Sequence, residues 1–517
     1  MSPHVTYPYT GRFIVRLTTS VVDQLIPLAL RPAFAIENLE QVACSLDLTA
    51  LCSILTGYPG LVYSRAASSA SSDRLDELEQ RARESDFPPV HRLASYYVVD
   101  PRQRSSRAEA EAEAEELLGR LLRLSEKDGV DRVYREPELR DATWAVDPSG
   151  DDHSPEQCYL KGGTTGPHKY TGINVDNAAV WGKFDGAGIG FVDLETGWNP
   201  GHEDLPAAAC PLFNVNRYTK NHPRRGNHGT AVLGVVVGVD NERGIIGIAP
   251  KANLRRLVSR VRSAADKWDL VNAILAALDR GVMAPGDVLL IEVETVIDRP
   301  VRGYPVEIVD HWFDAIRLAA GNGMIVVEAA GNGYYKGNTN VGRNLDQLER
   351  DWPDAPTWRS MNRERSDKFV DSGAIMVSAC TSAVAPDGAP PKTHRRMAYA
   401  TFGSRIDCYA WGEDVFTAGS SNVPGANPKQ ANVWYTDNFT GTSSAAAIIA
   451  GAALLVQQMH VATRAQRASP VQVRALLSDR SLGVTVVDQQ GSAEIGVMPD
   501  LAAIAAKLGA VPGDEPS

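Results

Sequence analysis

Two kinds of hydrophobic patterning divide the chain near residue 150. Ahead of that point, RFIVRLT at 12–18, ASYYVV at Ala94–Val99 and VDRVY at Val130–Tyr134 are short runs of β-branched and aromatic residues that predict strands. Arg107–Leu124, rich in Ala, Glu, Leu and Arg with its apolar residues grouped late, predicts a helix. The Ser/Ala-rich stretch 64–72 predicts a loop or an insertion. Together these predict a small α+β domain over residues 1–150, leading into a linker at Asp147–Glu156 (DPSGDDHSPE).

Beyond the linker, apolar runs of strand length alternate with helical patterns. Ile189–Leu194, Ala252–Val258, Val288–Val293, Met324–Ala329 and Ala374–Ala379 predict strands, and Asp266–Arg280 and Val306–Ala320 predict helices between them. Such alternation predicts an α/β domain over 151–510, a largely parallel sheet with helices on both faces, and a short tail at 511–517. A ligand site in such a sheet lies beyond the carboxyl ends of the strands. No repeat of fixed period is present.

Composition narrows the function classes. A length of 517 residues exceeds one average domain, and 44% hydrophobic with 22% charged residues is ordinary for a water-soluble globular chain. A formal net charge of −11 argues against a nucleic-acid partner. The longest apolar run, Ala445–Val456, is twelve residues, too short to span a bilayer, so no membrane partner is expected. The start, MSPHVTYPYTGRFIVRL, lacks an apolar segment behind a basic one, and Val21–Ile36 is broken by Asp23 and Arg31. A cytoplasmic location is the expectation, with an unusual export route left open. The six cysteines show no C-x-x-C spacing and fit either buried reduced thiols or one or two disulfides of an exported protein.

The chemistry concentrates in four short segments. Phe191-Val-Asp-Leu-Glu-Thr-Gly197 is a strand ending in acids and a tight turn. Asn227-His-Gly-Thr-Ala231 enters the apolar run Val232–Val239. Glu328-Ala-Ala-Gly-Asn-Gly333 follows a strand, and Thr440-Gly-Thr-Ser-Ser-Ala445 enters the apolar run just named. A serine hydroxyl is a weak nucleophile until a base takes its proton, and imidazole has the unperturbed pKa nearest neutrality. A carboxylate behind the ring fixes its tautomer and stabilises the imidazolium. At the start of a helix, Ser443 places its reacting centre near the positive end of the dipole. Asn332, at a strand end before a Gly-rich loop, suits an amide donor aimed at a developing oxyanion. Taken singly, each has a bland reading: Ser443 a helix cap, His228 a structural histidine, Asn332 a turn residue.

The segments HGTAVLG, GIIGIAPKANL, EAAGNG and GTSSAAAIIAG, in that order, resemble the signature blocks of the subtilisin-like serine proteases, and the similarity spans roughly Gln157–Leu508, closing with SPVQVRALL and PDLAAIAAKL. The order acid, histidine, serine is that family's order. The resemblance implies a serine endopeptidase with His228 as general base, Ser443 as nucleophile and Asn332 in the oxyanion hole. It also implies a protein or peptide substrate. The family's acid motif is Asp-Thr/Ser-Gly, whereas here Glu195-Thr196-Gly197 aligns, with Asp193 two residues earlier. The Thr-Gly anchor favours Glu195 as the orienting acid and leaves Asp193 as a candidate auxiliary acid, since both point to one face of the strand. Where the family has a small Ser-Leu-Gly edge lining the substrate site, this chain has Ile291-Glu-Val-Glu294. Glu292 and Glu294 are therefore candidate substrate-binding residues that favour a basic residue before the scissile bond. Ala447 and Ala410-Trp-Gly412 also depart from the pattern without removing a chemical group, and His202 in GHEDL reads as structural. The first 150 residues resemble the family's pro-domains, implying a chaperone and tethered inhibitor that contacts the catalytic domain; an accessory or partner-binding domain is the rival reading. The chemistry needs no metal or organic cofactor, and no loop is assigned to the calcium that the family often binds. A dedicated processing protease and a catalytically silent binding module of the same fold are the remaining readings.

Overall fold

The computed structural model describes residues 9–25, 33–34, 48–58, 61–101, 107–140, 147–148, 154–162, 172–206, 210–213, 223–260, 269–296, 302–336, 339–348, 359–383, 394–419, 432–485 and 495–510. Cys44, the middle of the expected linker (149–153), the first residues of the expected helix at 266–268 and the tail at 511–517 lie outside them.

In the N-terminal part, β1 (Tyr9–Leu17), α1 (Ser72–Arg83), β2 (Tyr96–Pro101), α2 (Arg107–Leu121) and β3 (Val130–Arg140) form an α+β unit. β1 lies between β2 and β3, antiparallel to both, with Phe13, Ile14 and Val15 fully buried. The stretch expected as a loop at 64–72 is framed by structure. Leu61–Arg65 pairs with β2, and Ser71 caps α1 by accepting from Arg74 N–H at 3.2 Å. Its backbone is tied down from outside: Asn272 donates to Ala66 O at 2.9 Å and accepts from Ser69 N–H at 2.7 Å.

The larger part follows in chain order as β4 (Gly190–Glu195), α3 (Pro223–Val237), α4 (Leu270–Ala277), β5 (Val288–Ile291), β6 (Glu294–Val296), α5 (Asp310–Gly321), β7 (Ile325–Ala329) and α6 (Thr442–Arg464). Its nine-stranded sheet runs Gly483–Thr485, Val497–Pro499, Cys408–Trp411, Ile375–Cys380, β7, β5, β4, Asn253–Ser259 and Leu212–Phe213. Every pairing is parallel except that between the first two strands. The strands β4, β5 and β7 are buried along their whole length, as a sheet covered on both faces requires. α3 and α6 pack together on one face, and α4 and α5 side by side on the other. α6 is the described helix apolar enough by length and composition to cross a membrane, yet 83% of its apolar window is buried inside the fold. It is a core helix, and its Gly451 lets Ile248 approach to where a Cβ would lie 2.6 Å away.

A second nine-stranded sheet joins the two parts. It runs Thr339–Val341, Gly333–Lys336, Arg302–Pro305, β6, β3, β1, β2, Leu61–Arg65 and Ala33–Phe34. The strand expected at 130–134 therefore extends to Arg140, because its far end finds an edge to pair with: Glu138, Leu139 and Arg140 lie opposite Val296, Thr295 and Glu294. The expected linker likewise begins as a strand, with Asp147–Pro148 paired to Trp434–Tyr435.

The seam between the parts is polar and buried. Arg16 and Arg132 meet Asp310 at 3.0 and 3.1 Å, Tyr96 Oη–H donates to Asp314 at 2.6 Å, and Tyr134 Oη lies 2.7 Å from His311 Nδ1. Two groups there titrate in opposite senses. Burial, aided by the charges of Arg16 and Arg359, pushes the His91 imidazole down to about 4, while burial pushes the Asp314 carboxyl up to about 6. His91 thus contributes stability at neutral pH that is lost as pH falls from its unfolded value of roughly 6.5 towards its folded one. Asp314 contributes stability at acid pH that is lost as pH rises through its raised value. Asp314→Asn removes the second effect, so its melting temperature is expected to fall more steeply than the parent's between pH 7 and pH 5. Calorimetry at matched ionic strength reads the difference, and equal slopes would contradict it.

Candidate active site

Three neighbouring parallel strands deliver polar residues at their carboxyl ends: β4 ends in Glu195, β5 is followed by Glu292, and β7 leads through Ala330 and Gly331 to Asn332. This is where an open parallel sheet presents its ligands.

Glu195 is fully buried. Its Oε1 is in hydrogen-bonding contact with His228 Nδ1, and its Oε2 accepts from Thr196 N–H at 3.1 Å. His228, on α3, is 2% exposed and packs edge-on against Phe439, with ring centroids 5.8 Å apart. The Gly229 that follows is required by close approach, since a Cβ there would lie 2.5 Å from Gly197 O and 2.7 Å from the Trp198 ring. Trp198 in turn donates Nε1–H to Asp193 Oδ2 at 2.7 Å. Asp193 is therefore engaged by Trp198 and Glu195 by the histidine. Burial pushes the Asp193 carboxyl well above the usual range, and the nearby charge of Glu195 adds to the rise.

Ser443 lies in the first turn of α6, 5% exposed, just after Gly441, whose φ of +100° favours glycine. Asn332 sits between Gly331 and Gly333, both with positive φ. Its side-chain Oδ1 accepts from Thr442 N–H at 2.8 Å and from Thr442 Oγ1–H at 3.2 Å. Thr442 Oγ1 also accepts from Gly331 N–H at 3.1 Å. With the oxygen anchored on Thr442, the amide NH2 is the end of Asn332 left to face a ligand. A Cβ at Gly441 would stand 3.3 Å from Asn332 Oδ1 and 3.6 Å from both Asn332 Nδ2 and Ser443 N, so the Asn332 side chain lies close against the start of α6.

The two acids of the Glu-Val-Glu segment both reach this machinery. Glu292 is buried, and its carboxylate lies with those of Glu195 and the ring of His228 within 4.8 Å of one another. Such a trio has the donor set for a divalent cation, and two of its members, Glu195 and His228, are already in contact with each other. Glu294 Oε2 accepts the backbone N–H of Asn332 at 2.7 Å. Sequence reasoning missed this bond, together with those of Thr442 and Trp198. Thr442 stood inside a recognised segment and was the one open to inference. His202 is structural: its Nε2 meets Trp434 O at 2.7 Å and its Nδ1 accepts from Asp204 N–H. The five described cysteines are free thiols.

An imidazole backed by a buried carboxylate, with a serine in the first turn of a core helix and an asparagine at a neighbouring strand end, is the residue set of the serine hydrolases as a class. The family follows from comparison: residues 186–494, more than half the chain, match the Subtilase family, and the chain belongs to it as a subtilisin-like serine protease. It is 26% identical over 286 residues to the intracellular serine protease of Paenibacillus polymyxa, covering 54% of this chain and 70% of that one. It is 24% identical over 292 residues to subtilisin DY of Bacillus licheniformis, covering 56% and 84%. Among solved structures, fervidolysin from Fervidobacterium pennivorans aligns at 15% identity over 100% of this chain and 62% of that chain, with a TM-score of 0.49.

Proposed function

We propose that Ser443, His228, Glu195 and Asn332 carry a serine endopeptidase reaction on protein or peptide substrates. His228 takes the proton of Ser443 as the hydroxyl adds to the scissile carbonyl, and Glu195 stabilises the imidazolium. Asn332 Nδ2 and Ser443 N–H receive the oxyanion. His228 then protonates the leaving amine, and water, deprotonated by the same ring, releases the acyl group from Ser443. The observation that carries this reading is the buried contact between Glu195 and His228. Asp193, bonded to Trp198, acts behind Glu195 rather than on the ring.

A finer reading is a processing protease that cleaves after basic residues. Glu292 supplies a buried carboxylate beside Glu195 and His228, while that of Glu294 is taken by the Asn332 N–H. The domain layout fits the same reading, with residues 1–150 as a pro-domain-like unit, 151–510 as the catalytic domain and 511–517 as a tail. β3 occupies the β6 edge, and Asp147–Pro148 pairs with the strand leading to Phe439 and Ser443, so this segment would compete with a substrate strand. A location inside the cell is proposed on the name of the Paenibacillus relative. The test is a peptide library incubated with the purified chain and with Ser443→Ala. Cleavage after Arg or Lys by the parent alone is expected, with a lag while the N-terminal part is removed. Preference for apolar residues removes the basic specificity, and a full-length chain that stays intact and active removes the inhibitory role of residues 1–150.

A further inference from the structure

The oxyanion-hole asparagine has an unusual support. Asn332 lies between two glycines with positive φ, a backbone that needs outside anchors to hold one conformation. Thr442 anchors the side chain and Gly331 N–H. The backbone N–H of Asn332 itself is taken by the carboxylate of Glu294, which reaches across the neighbouring strand Arg302–Pro305. Room for that crossing comes from Gly303, where a Cβ would fall 2.0 Å from Glu294 Oε2. Gly303 pairs with Gly333 on its other side, so carboxylate, glycine gap and asparagine loop lie in one row.

We propose that Glu294 is a positioning residue for Asn332, coupling the cleft-edge strand β6 to the oxyanion hole. The proposal rests on the role assigned to Asn332 above. Glu294 does not touch the reacting atoms. It fixes the peptide unit from which the Asn332 amide projects, by a charge-assisted bond in a half-buried setting. Because β6 is also the edge paired with β3, any strand seated there bears on the residue that holds the oxyanion donor.

The consequence is a defect in the transition state rather than in substrate binding. Glu294→Ala is expected to lower kcat by about 10- to 100-fold while KM stays within about threefold, the signature of an interaction gained only in the transition state. Glu294→Gln keeps an acceptor for the same N–H and is expected to retain most of the rate. Gly303→Ala, which drives the carboxylate out of its gap from the opposite strand, is expected to reproduce the Glu294→Ala defect. In the double variant Glu294→Ala/Asn332→Ala, the loss should equal that of Asn332→Ala alone, since both act through one amide. Rates are taken on the purified chain once peptide cleavage is linear and are normalised to fluorophosphonate-titrated sites, so a poorly folding variant is not mistaken for a slow one. The proposal is overturned by a parental kcat in Glu294→Ala, by a raised KM at unchanged kcat, by losses that multiply in the double variant, or by a Gln variant as slow as Ala. A parent chain that takes up no fluorophosphonate would instead remove the serine-hydrolase assignment beneath it.

Discussion

Ser443→Ala is expected to lower kcat on a peptide substrate by about six orders of magnitude, the scale on which removal of the nucleophile acts in subtilisins. His228→Ala should cost about as much, and the double variant no more, because the two groups act as one unit. The residual rate should still exceed that in water by about 10³-fold, since Asn332 and the Ser443 N–H continue to stabilise the oxyanion. Mass spectrometry provides the direct reading: a fluorophosphonate adduct should map to Ser443 in the parent and be absent from Ser443→Ala. Labelling elsewhere, or peptide cleavage unaffected by the substitution, would overturn the assigned nucleophile.

The second large effect separates the two acids of β4. Glu195→Ala is expected to lower kcat by about 10⁴-fold, because the imidazole loses the partner that orients it and stabilises its cation. Asp193→Asn should leave kcat within about threefold of the parent. Its partner is the Trp198 N–H, which an amide oxygen can still accept. Stability gives an independent check with a fixed sign. The Asp193 carboxyl has its pKa raised in the fold, chiefly by burial and then by the charge of Glu195, so it holds its proton where the unfolded chain would release it. Stability from this group falls as pH rises above the unfolded value near 4. Asp193→Asn should therefore stabilise the chain at pH 7 relative to the parent, with the advantage shrinking towards pH 4 in denaturant titrations. Loss of activity in Asp193→Asn with retention in Glu195→Ala would reverse the assignment.

Much of this architecture was legible because it rests on local requirements. A continuous apolar run such as Val288–Ile291 is what a strand covered on both faces demands, and it folds as one. The His-Gly, Gly-Asn-Gly and Gly-Thr-Ser segments expose their roles in the residue types themselves. Gly229 admits Trp198, Gly331 and Gly333 take positive φ, and Gly441 opens the start of α6. Where local pattern failed, a distant partner decided. β3 runs on to Arg140 only because β6 offers an edge, and Asp147–Pro148 is a strand only because Trp434–Tyr435 lies beside it.

The candidate site divides along the same line. The chain order of Glu195, His228, Asn332 and Ser443 was open to reading, because each stands in a short segment with its own pattern, and the resemblance supplied the roles proposed for them. Which acid meets the ring was favoured by the Thr-Gly anchor but decided by the fold, since positions 193 and 195 share a face and differ in whether Trp198 or His228 approaches. The surroundings of Glu292 and Glu294 were not legible: they are candidates for a basic side chain from one short segment, and the fold sets one beside His228 and the other on the Asn332 N–H. A carboxylate at a strand end takes whatever donors the neighbouring strands bring to it. The order of those strands in space is a property of the folded sheet, beyond the reach of any short segment.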